Sequence, residues 1–270
     1  MPVIVVTLDG DVVAPDGPIL RADDAIVTRS DGVFETLLVR RGRPCLMRAH
    51  LDRLADSAAI IELPAPDLER WRAAAAAALA RWHGDGEAVM RFVYGRARTQ
   101  ASFVTVSAVP ERVAAARRNG VSVLTLERGP RLLADAKSLS YALNSAALRH
   151  AERQGADDVV FVTSEGSVLE GPRSSVVIMP KEGTLLTPPP SMPILPGTTQ
   201  RAVFETASRR GWRCDHQTIS VADLQAAQGV WLLSSITLAA RVRTVDGSPL
   251  AQAPAAEQFA NLVDEAVSRG

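Results

Sequence analysis

Lysine is nearly absent from this chain of 270 residues, although basic residues are not: of 30 lysines and arginines, only Lys137 and Lys181 are lysines. Arginine can replace lysine in most surface roles, but its guanidinium stays protonated and cannot form a Schiff base. Lys181 lies in Pro180-Lys181-Glu182-Gly183, which predicts a hairpin turn with a solvated charge. Lys137, in the segment 136–141, has no such explanation and is therefore a candidate for chemistry.

The chain also has little cysteine, no net charge and no long apolar run. Cys45 and Cys214 form no close-spaced metal or redox motif, so we expect small buried or half-buried side chains and no metal site. A formal net charge of zero gives no reason to expect binding to nucleic acid or an anionic membrane. The apolar stretch 72–82 is too short to span a bilayer, and residues 1–10 lack the features of a signal peptide. We therefore expect a cytoplasmic protein.

What is present is the composition of an ordinary globular protein, with 47% apolar and 22% charged residues. Hydrophobic periodicity predicts alternating strands and helices in the first part of the chain. The predicted strands are 3–8, 12–13, 32–39, 45–47, 89–94 and 102–109, and the predicted helices are 50–61 and 67–82.

A charged, alanine-rich stretch near residues 110–120 suggests a domain boundary. We predict a smaller N-terminal α/β domain at 1–112, a linker at 113–120 and a larger C-terminal domain at 121–270. The predicted strands of the second domain are 121–126, 159–163, 167–170 and 175–179, and the predicted helices are 139–154 and the segment from Gly197 to about Arg210. The prolines of 187–193 exclude a helix or a central strand there. Both halves are α/β, with mostly antiparallel strands.

Five segments match one family in their order and spacing. They are Ala49-His50-Leu51-Asp52-Arg53-Leu54, Lys137-Ser138-Leu139-Ser140-Tyr141, Gly166-Ser167-Val168-Leu169-Glu170-Gly171, Ile194-Leu195-Pro196-Gly197-Thr198-Thr199 and Leu233-Ser234-Ser235-Ile236. From about Leu8 to Gly247 the chain resembles the class IV (fold-type IV) pyridoxal-phosphate enzymes, which include aminodeoxychorismate lyase and the D-amino-acid and branched-chain aminotransferases. The resemblance implies the two-domain D-amino-acid aminotransferase-like fold, of the α/β (α+β) class, with a C-terminal cofactor-binding domain.

The same resemblance implies roles for the cofactor-binding residues. Lys137 matches the lysine that links pyridoxal 5′-phosphate (PLP) as a Schiff base and then serves as general base. Glu170 matches the acidic partner of the pyridine nitrogen. Arg53 matches the arginine that binds the cofactor phosphate, a task suited to a bidentate, permanently charged group. Without the family, an arginine on an amphipathic helix is more often a solvated charge, and we interpret the neighbouring His50 as structural.

Further cofactor contacts are implied at the start of one helix and the end of one strand. Thr198 and Thr199 precede a predicted helix, where unpaired N–H groups favour a phosphate, although a simple threonine N-cap is the alternative. Ser235 and Ile236 resemble the remaining phosphate contacts, with ordinary strand-end residues as the alternative. Tyr141 corresponds to a tyrosine near the cofactor hydroxyl.

Three positions depart from the family pattern or bear on the substrate. Ser175 stands where many members have asparagine. Phe34, before Glu35, stands where D-amino-acid aminotransferases have tyrosine, and the missing hydroxyl removes one hydrogen bond to a substrate carboxylate. Arg96 falls where members place an arginine near the substrate, and either a carboxylate contact or a surface role is open for it.

The resemblance is greatest to the aminodeoxychorismate lyases of high-GC bacteria, through the segments 31–39 and 231–237. We therefore predict release of pyruvate from 4-amino-4-deoxychorismate to give 4-aminobenzoate, a step of folate biosynthesis. The alternative is an aminotransferase acting on D- or branched-chain amino acids, since both reactions begin with the same proton removal. A cofactor-free binding protein on this fold is a third possibility. The family's members are homodimers that share pocket residues, so we expect a homodimer.

Overall fold

The computed structural model describes residues 3–98, 101–129 and 132–269, which form two compact units. The first unit consists of residues 3–98, 101–110 and 135–141, and the second consists of residues 111–129, 132–134 and 142–269. No helix of the described residues is long and apolar enough to cross a membrane.

The first unit is an antiparallel sheet packed against two helices. Its elements are β1 (Val3–Thr7), β2 (Val12–Val13), α1 (Ala25–Thr28), β3 (Gly32–Arg40), β4 (Arg43–Pro44), α2 (Met47–Ile60), α3 (Leu68–Leu79), β5 (Ala88–Gly95) and β6 (Ala101–Ala108). The strands follow the order β2-β1-β6-β5-β3-β4, and each neighbouring pair is antiparallel. Apolar residues of α2 and α3 pack on one face of this sheet around the fully buried Trp71.

Two side chains illustrate why these helices form where they do. Asp67 precedes α3, and its carboxylate accepts hydrogen bonds from the N–H groups of Glu69 (3.1 Å) and Arg70 (3.2 Å), which otherwise lack partners in a first turn. In α2, His50, Leu51, Arg53 and Leu54 are all buried, so the inner stripe of the helix carries two basic residues. The predicted helix at 50–61 is confirmed and begins three residues earlier.

The second unit contains a mixed sheet with helices. Its elements are α4 (Glu111–Asn119), β7 (Val121–Glu127), α5 (Ala142–Arg153), β8 (Asp158–Val162), β9 (Ser175–Lys181), β10 (Thr184–Thr187), α6 (Thr198–Arg209), β11 (Arg213–His216), α7 (Val221–Ala226), β12 (Gly229–Ser234), β13 (Leu238–Val245), β14 (Ser248–Pro249) and α8 (Ala256–Ser268). The strand order is β11-β10-β9-β12-β13-β7-β8, with β14 paired to β13. The pairs β10/β11, β13/β7 and β7/β8 are parallel, so this sheet is less antiparallel than the sequence predicts.

The structure differs from the sequence-based expectation at the predicted linker. Residues 113–120 lie almost entirely in α4, whose Val113 is buried, so this stretch is a packed helix rather than a connecting segment. The chain turns sharply at Gly120, where φ is +70° and a Cβ atom would come within 2.4 Å of the Arg241 carbonyl oxygen. Only glycine fits there without strain.

The predicted helix at 139–154 begins later, at Ala142. The Leu139 N–H donates to the Gly32 carbonyl at 2.8 Å, and Ser138 pairs with Val33 in an antiparallel bridge. These residues are therefore held in an extended conformation, which makes the segment 135–141 part of the first unit.

Candidate active site

Lys137 is held by backbone hydrogen bonds beside the first strand residues of β3. Its carbonyl accepts from the Phe34 N–H (3.0 Å), and its own N–H donates to Ser57 Oγ (3.0 Å) on α2. Gly32 permits this close approach, since a Cβ atom there would lie 2.8 Å from Leu139 Cδ1 and 2.8 Å from the Tyr94 carbonyl oxygen. β3, α2 and Gly32 together position the backbone of Lys137.

The Lys137 amine lies in an aromatic and cationic environment. Its Nζ is 4.7 Å from the centroid of the Phe34 ring, and the Tyr141 ring meets Phe34 edge to face at a centroid distance of 5.5 Å. The guanidinium carbon of Arg91 lies 4.1 Å from the same Phe34 centroid. The structure thus brings together Lys137, Phe34 and Tyr141, all named from the sequence, and adds Arg91.

Arg91 was not identified from the sequence. Arg91 on β5 pairs directly with Thr36 on β3, so the two side chains lie on the same face of the sheet. Thr36 is two residues from Phe34 on the same strand, and Arg91 therefore lies on the Phe34 face. Burial lowers the pKa of Arg91 and Tyr141 opposes that effect, but an arginine remains charged at any physiological pH. Within the described residues Arg91 has no hydrogen bond or ion pair, so its guanidinium is available to an anionic ligand.

Arg53 is part of a buried ionic cluster that also contains Glu35 and His50. The Glu35 carboxylate accepts from Arg53 Nε (2.7 Å) and Nη2 (2.8 Å), and Glu35 Oε2 lies 2.7 Å from His50 Nδ1. Glu35 is 0% and His50 1% exposed. The two oxygens of one carboxylate therefore orient the guanidinium and the imidazole.

The charge states of this cluster follow from burial and from the contacts among its three members. Burial alone would raise the pKa of Glu35, but the charge and hydrogen bonds of Arg53, together with the hydrogen bond of His50, hold that pKa far below its usual range. Burial lowers the pKa of His50, and Glu35 counteracts this only in part. At neutral pH the cluster thus consists of an anionic Glu35, a cationic Arg53 and a neutral His50.

Arg96, the second predicted substrate residue, lies apart from this group of contacts. Its Nε donates to Asp31 (2.8 Å), and its Nη2 reaches the carbonyl oxygens of Glu62 (3.2 Å) and Ile61 (3.4 Å). The side chain is about half exposed, at 47%. These contacts tie a loop to the end of α2.

In the second unit, Glu170 is a buried carboxylate with protein donors on both oxygens. Oε1 accepts from Arg128 Nη1 (2.7 Å), and Oε2 accepts from the Leu195 N–H (3.0 Å). The backbone of Glu170 is joined to β8, because its carbonyl accepts from the Phe161 N–H at 2.8 Å. Glu170 is 7% exposed, so its carboxylate is both buried and oriented.

The start of α6 has the properties expected of a phosphate site. Gly197 is the N-cap and supplies no side-chain cap to this 12-residue helix, and the N–H groups of a helix start favour an anion. Thr198 and Thr199 are 4% and 2% exposed, and Thr199 Oγ1 is buried without a hydrogen-bond partner among the described residues. A Cβ atom on Gly197 would come within 2.3 Å of Ser175 Oγ, so the glycine lets the loop lie against Ser175.

Ser235 and Ile236 lie in the turn between β12 and β13. The turn is stabilised by the Thr237 N–H, which donates to Ser234 Oγ at 3.2 Å, and by Arg117 of α4, which donates to the carbonyl oxygens of Ile236 and Thr237. Ser235 and Ile236 are partly exposed. The carbonyl side of the turn is thus occupied by Arg117, an arrangement that also brings a positive charge to this turn.

These groups fit PLP on chemical grounds. The first unit supplies an amine that can link an aldehyde and an oriented guanidinium that suits a phosphate. The second supplies a buried carboxylate that suits a protonated pyridine nitrogen, and an uncapped helix start with an unpaired hydroxyl that suits phosphate oxygens. Such a set of residues is typical of a PLP-dependent enzyme.

Comparison with known proteins places the chain within one family of such enzymes. Residues 32–245 match the model of the amino-transferase class IV family, and the chain belongs to that family. It is therefore a PLP-dependent enzyme with the fold-type IV architecture, as the sequence predicts.

Three relatives illustrate the range of similarity. A Mycobacterium tuberculosis protein named bifunctional aminodeoxychorismate lyase / D-amino acid transaminase is 53% identical over 98% of this chain and 99% of its own. A solved M. tuberculosis structure, described as a hypothetical aminotransferase in its α-ketoglutarate- and PMP-bound form, has a TM-score of 0.96 at 54% identity, covering 99% of this chain and 100% of the other. A fold IV transaminase from Curtobacterium pusillum has a TM-score of 0.90 at 36% identity, covering 99% and 98%.

Proposed function

We propose that this enzyme is a 4-amino-4-deoxychorismate lyase, which releases pyruvate and leaves 4-aminobenzoate for folate biosynthesis. The observation that carries the proposal is the 53% identity, over nearly the whole chain, to the relative named bifunctional aminodeoxychorismate lyase / D-amino acid transaminase. The arrangement of charged and aromatic side chains around Lys137 supports it.

The site residues are assigned roles as part of this proposal. In the first unit, Lys137 links the cofactor, Arg53 binds its phosphate and Tyr141 lies beside its hydroxyl. In the second unit, Glu170 pairs with the ring nitrogen, while Thr198, Thr199, Ser235 and Ile236 bind phosphate oxygens. Bound PLP supplies an electron sink for the carbanion formed beside the substrate nitrogen.

The protein's own groups perform the proton transfer and the positioning. The Lys137 amine would act as the general base that removes the proton from the carbon bearing the substrate nitrogen. The electron pair released there would form a ring double bond and cleave the ether C–O bond on the neighbouring carbon. The leaving group is enolpyruvate, which becomes pyruvate on protonation of its methylene carbon. Because the ring becomes aromatic, the protein has chiefly to orient the substrate and exclude water.

Arg91 is the favoured partner for a substrate carboxylate. Its guanidinium and the Lys137 amine both lie within 5 Å of the Phe34 centroid, at 4.1 and 4.7 Å. 4-Amino-4-deoxychorismate carries two carboxylates, and an arginine without an ion-pair partner among the described residues suits one of them. Phe34 provides an apolar surface close to both side chains. We therefore propose Arg91, rather than the ion-paired Arg96, as the substrate arginine.

Transamination is the second candidate activity, with D- or branched-chain amino acids as donors. The M. tuberculosis relative bears both activities in its name, and the similar solved structure was obtained with α-ketoglutarate and PMP. The same lysine removes the same kind of proton in this reaction, so both activities are compatible with one site.

The deciding experiment measures 4-aminobenzoate and pyruvate after freshly prepared 4-amino-4-deoxychorismate is added to the purified enzyme. Release of both products in equal amounts, absent with Lys137→Ala, is the expected result. If the wild type holds the cofactor but releases neither product, the lyase proposal is wrong. Conversion of D-alanine with α-ketoglutarate under the same conditions would then support the transaminase.

We also propose that the enzyme is a homodimer, in keeping with the family resemblance. Light scattering coupled to gel filtration should give twice the 28.8 kDa of one chain. A single-chain mass in a fully active preparation would contradict this proposal.

A further inference from the structure

Arg128 is a buried arginine that follows β7 and that the sequence motifs did not identify. Its side chain is 2% exposed. A charge so deeply buried is costly unless it is paired. Its Nη1 donates to Glu170 Oε1 at 2.7 Å, its Nη2 donates to the Pro193 carbonyl oxygen, and its guanidinium carbon lies 5.3 Å from the Phe161 ring centroid. All of these partners are on the segments that hold Glu170.

Each oxygen of the Glu170 carboxylate has its own hydrogen-bond donor, so the contacts orient the carboxylate as well as neutralise the charge of Arg128. The guanidinium fixes one carboxylate oxygen, and the Leu195 N–H fixes the other at 3.0 Å. Leu195 follows Pro193, so Arg128 holds both Glu170 and the loop that provides its second donor. A carboxylate accepts up to about four hydrogen bonds, so these two donors are compatible with a further one.

We propose that Arg128 is a positioning residue which acts through Glu170 and keeps the proton on the ring nitrogen of bound PLP. This inference rests on the proposed role of Glu170. The carboxyl group and the ring nitrogen compete for a single proton, which lies either on the nitrogen, giving an ion pair, or on the carboxylate, giving a neutral pair. Arg128 determines which of the two forms is favoured.

The direction follows from the geometry of the guanidinium. Arg128 is in direct contact with the Glu170 carboxylate. A ring nitrogen that donates to another side of that carboxylate would lie farther from Arg128 than the carboxylate does. Its attraction to the anion therefore exceeds its repulsion of the protonated nitrogen. For charges separated by about 4 and about 7 Å at an effective dielectric constant of about 20, the ion-paired form is favoured by roughly 10- to 20-fold.

The test measures the proton on the nitrogen directly, by ¹⁵N NMR of enzyme loaded with PLP that is ¹⁵N-labelled in the ring. The wild type and Arg128→Lys, which retains the charge, should show a protonated nitrogen. Arg128→Met should reduce the ratio of protonated to unprotonated nitrogen by about 10-fold, and Glu170→Gln should reduce it at least as much. Arg173→Met is the matched control, since Arg173 pairs with Asp158 at 3.5 Å near the same segment and should leave the ratio unchanged.

The outcomes separate this inference from the proposed function. Borohydride reduction and peptide mapping should locate the cofactor on Lys137 in each variant, and failure of the wild type in that step would contradict the proposed function itself. If Glu170→Gln changes the ¹⁵N signal but Arg128→Met does not, the role of Arg128 is wrong while that of Glu170 stands. If Arg128→Met does not retain PLP, Arg128→Gln, which is also uncharged, replaces it. Loss of the proton in Arg128→Lys would equally overturn the inference.

Discussion

Replacing Glu35 by glutamine tests the buried ionic cluster of the first unit. Glu35 is the sole carboxylate in contact with Arg53 and His50 among the hydrogen bonds and ion pairs described above. In Glu35→Gln the amide retains the shape of the side chain but carries no charge, and its NH₂ group cannot accept a hydrogen bond from the Arg53 guanidinium, which is itself a donor. The Arg53 guanidinium is then a buried cation without its counter-charge.

The magnitude follows from the cost of an unpaired buried charge. Removing one partner of a buried ion pair destabilises a protein by about 3–5 kcal/mol. Because the glutamine carbonyl can still accept one hydrogen bond from Arg53, we expect the lower end, about 3 kcal/mol of the free energy of unfolding. Glu35→Ala also leaves a cavity and should cost more.

The pH dependence of the free energy of unfolding provides an independent test. The pKa of Glu35 is depressed in the folded protein, so the stabilisation is present above its ordinary value of 4.5 and is lost as the pH falls towards the folded value. Below pH 4.5 the unfolded chain binds a proton at this position and the folded protein does not. The wild type should therefore lose up to about 1.4 kcal/mol per pH unit that Glu35→Gln does not lose.

The assay is urea unfolding of the cofactor-free protein at several pH values, followed by circular dichroism. Glu87→Gln is the matched control, because Glu87 pairs with Arg40 in the same sheet at the same 2.7 Å but is about one-quarter exposed. We expect that control to cost less than about 1 kcal/mol. A Glu35→Gln protein that is no less stable than Glu87→Gln, or that has the wild-type slope below pH 4.5, would refute the reasoning.

Three further predictions concern the substrate, the histidine and the phosphate loop. Arg91→Met should lower kcat/KM for a carboxylate substrate by about 10- to 100-fold, whereas Arg96→Met should have a smaller effect, as steady-state kinetics would show; equal effects would contradict the assignment. Because burial lowers the pKa of His50, the free energy of unfolding of the wild type should fall as the pH drops below 6.5. His50→Gln should flatten that part of the pH profile in the same urea titrations. An unchanged slope would count against a buried neutral imidazole. Gly197→Ala should weaken PLP binding to the apoenzyme, measured by fluorescence titration, because its methyl group would displace Ser175 or the helix start; unaltered affinity would show that the loop adapts without cost.

Much of the local structure was predictable from the sequence. The helix at 50–61, the long strand after Gly32 and the helix after Gly197 follow from apolar periodicity and turn residues, and each is present within a few residues. The fold and the cofactor were predicted through the order of five motifs, and both are confirmed. The individual site residues remain predictions that the proposed experiments address.

Three polar residues in contact with the predicted groups were missed, although two carry a signal in the sequence. Glu35 falls in step with Val33 and Leu37 on a strand, so a carboxylate occupies a core position, and such a residue requires a buried partner. Arg91 lies likewise within an apolar strand, between Met90 and Phe92. Arg128 has no such signal, because it stands at the end of a strand beside glycine and proline, where an exposed arginine is common.

The sequence by itself indicated the kind of chemistry: one lysine outside the predicted turn is a local feature, and the resemblance carried by the order of five motifs implied roles for Glu170 and for the two threonines at a helix start. Only the tertiary structure decided the partners of those residues. Arg53 with Glu35, and Glu170 with Arg128, are 18 and 42 positions apart in the chain. Hydrophobic periodicity predicts which face of a strand or helix a side chain occupies. Strand pairing and helix packing determine which charged residue, distant in the sequence, lies in contact with that side chain. Because a buried charge is stable only beside such a partner, its electrostatic state is a property of the folded protein.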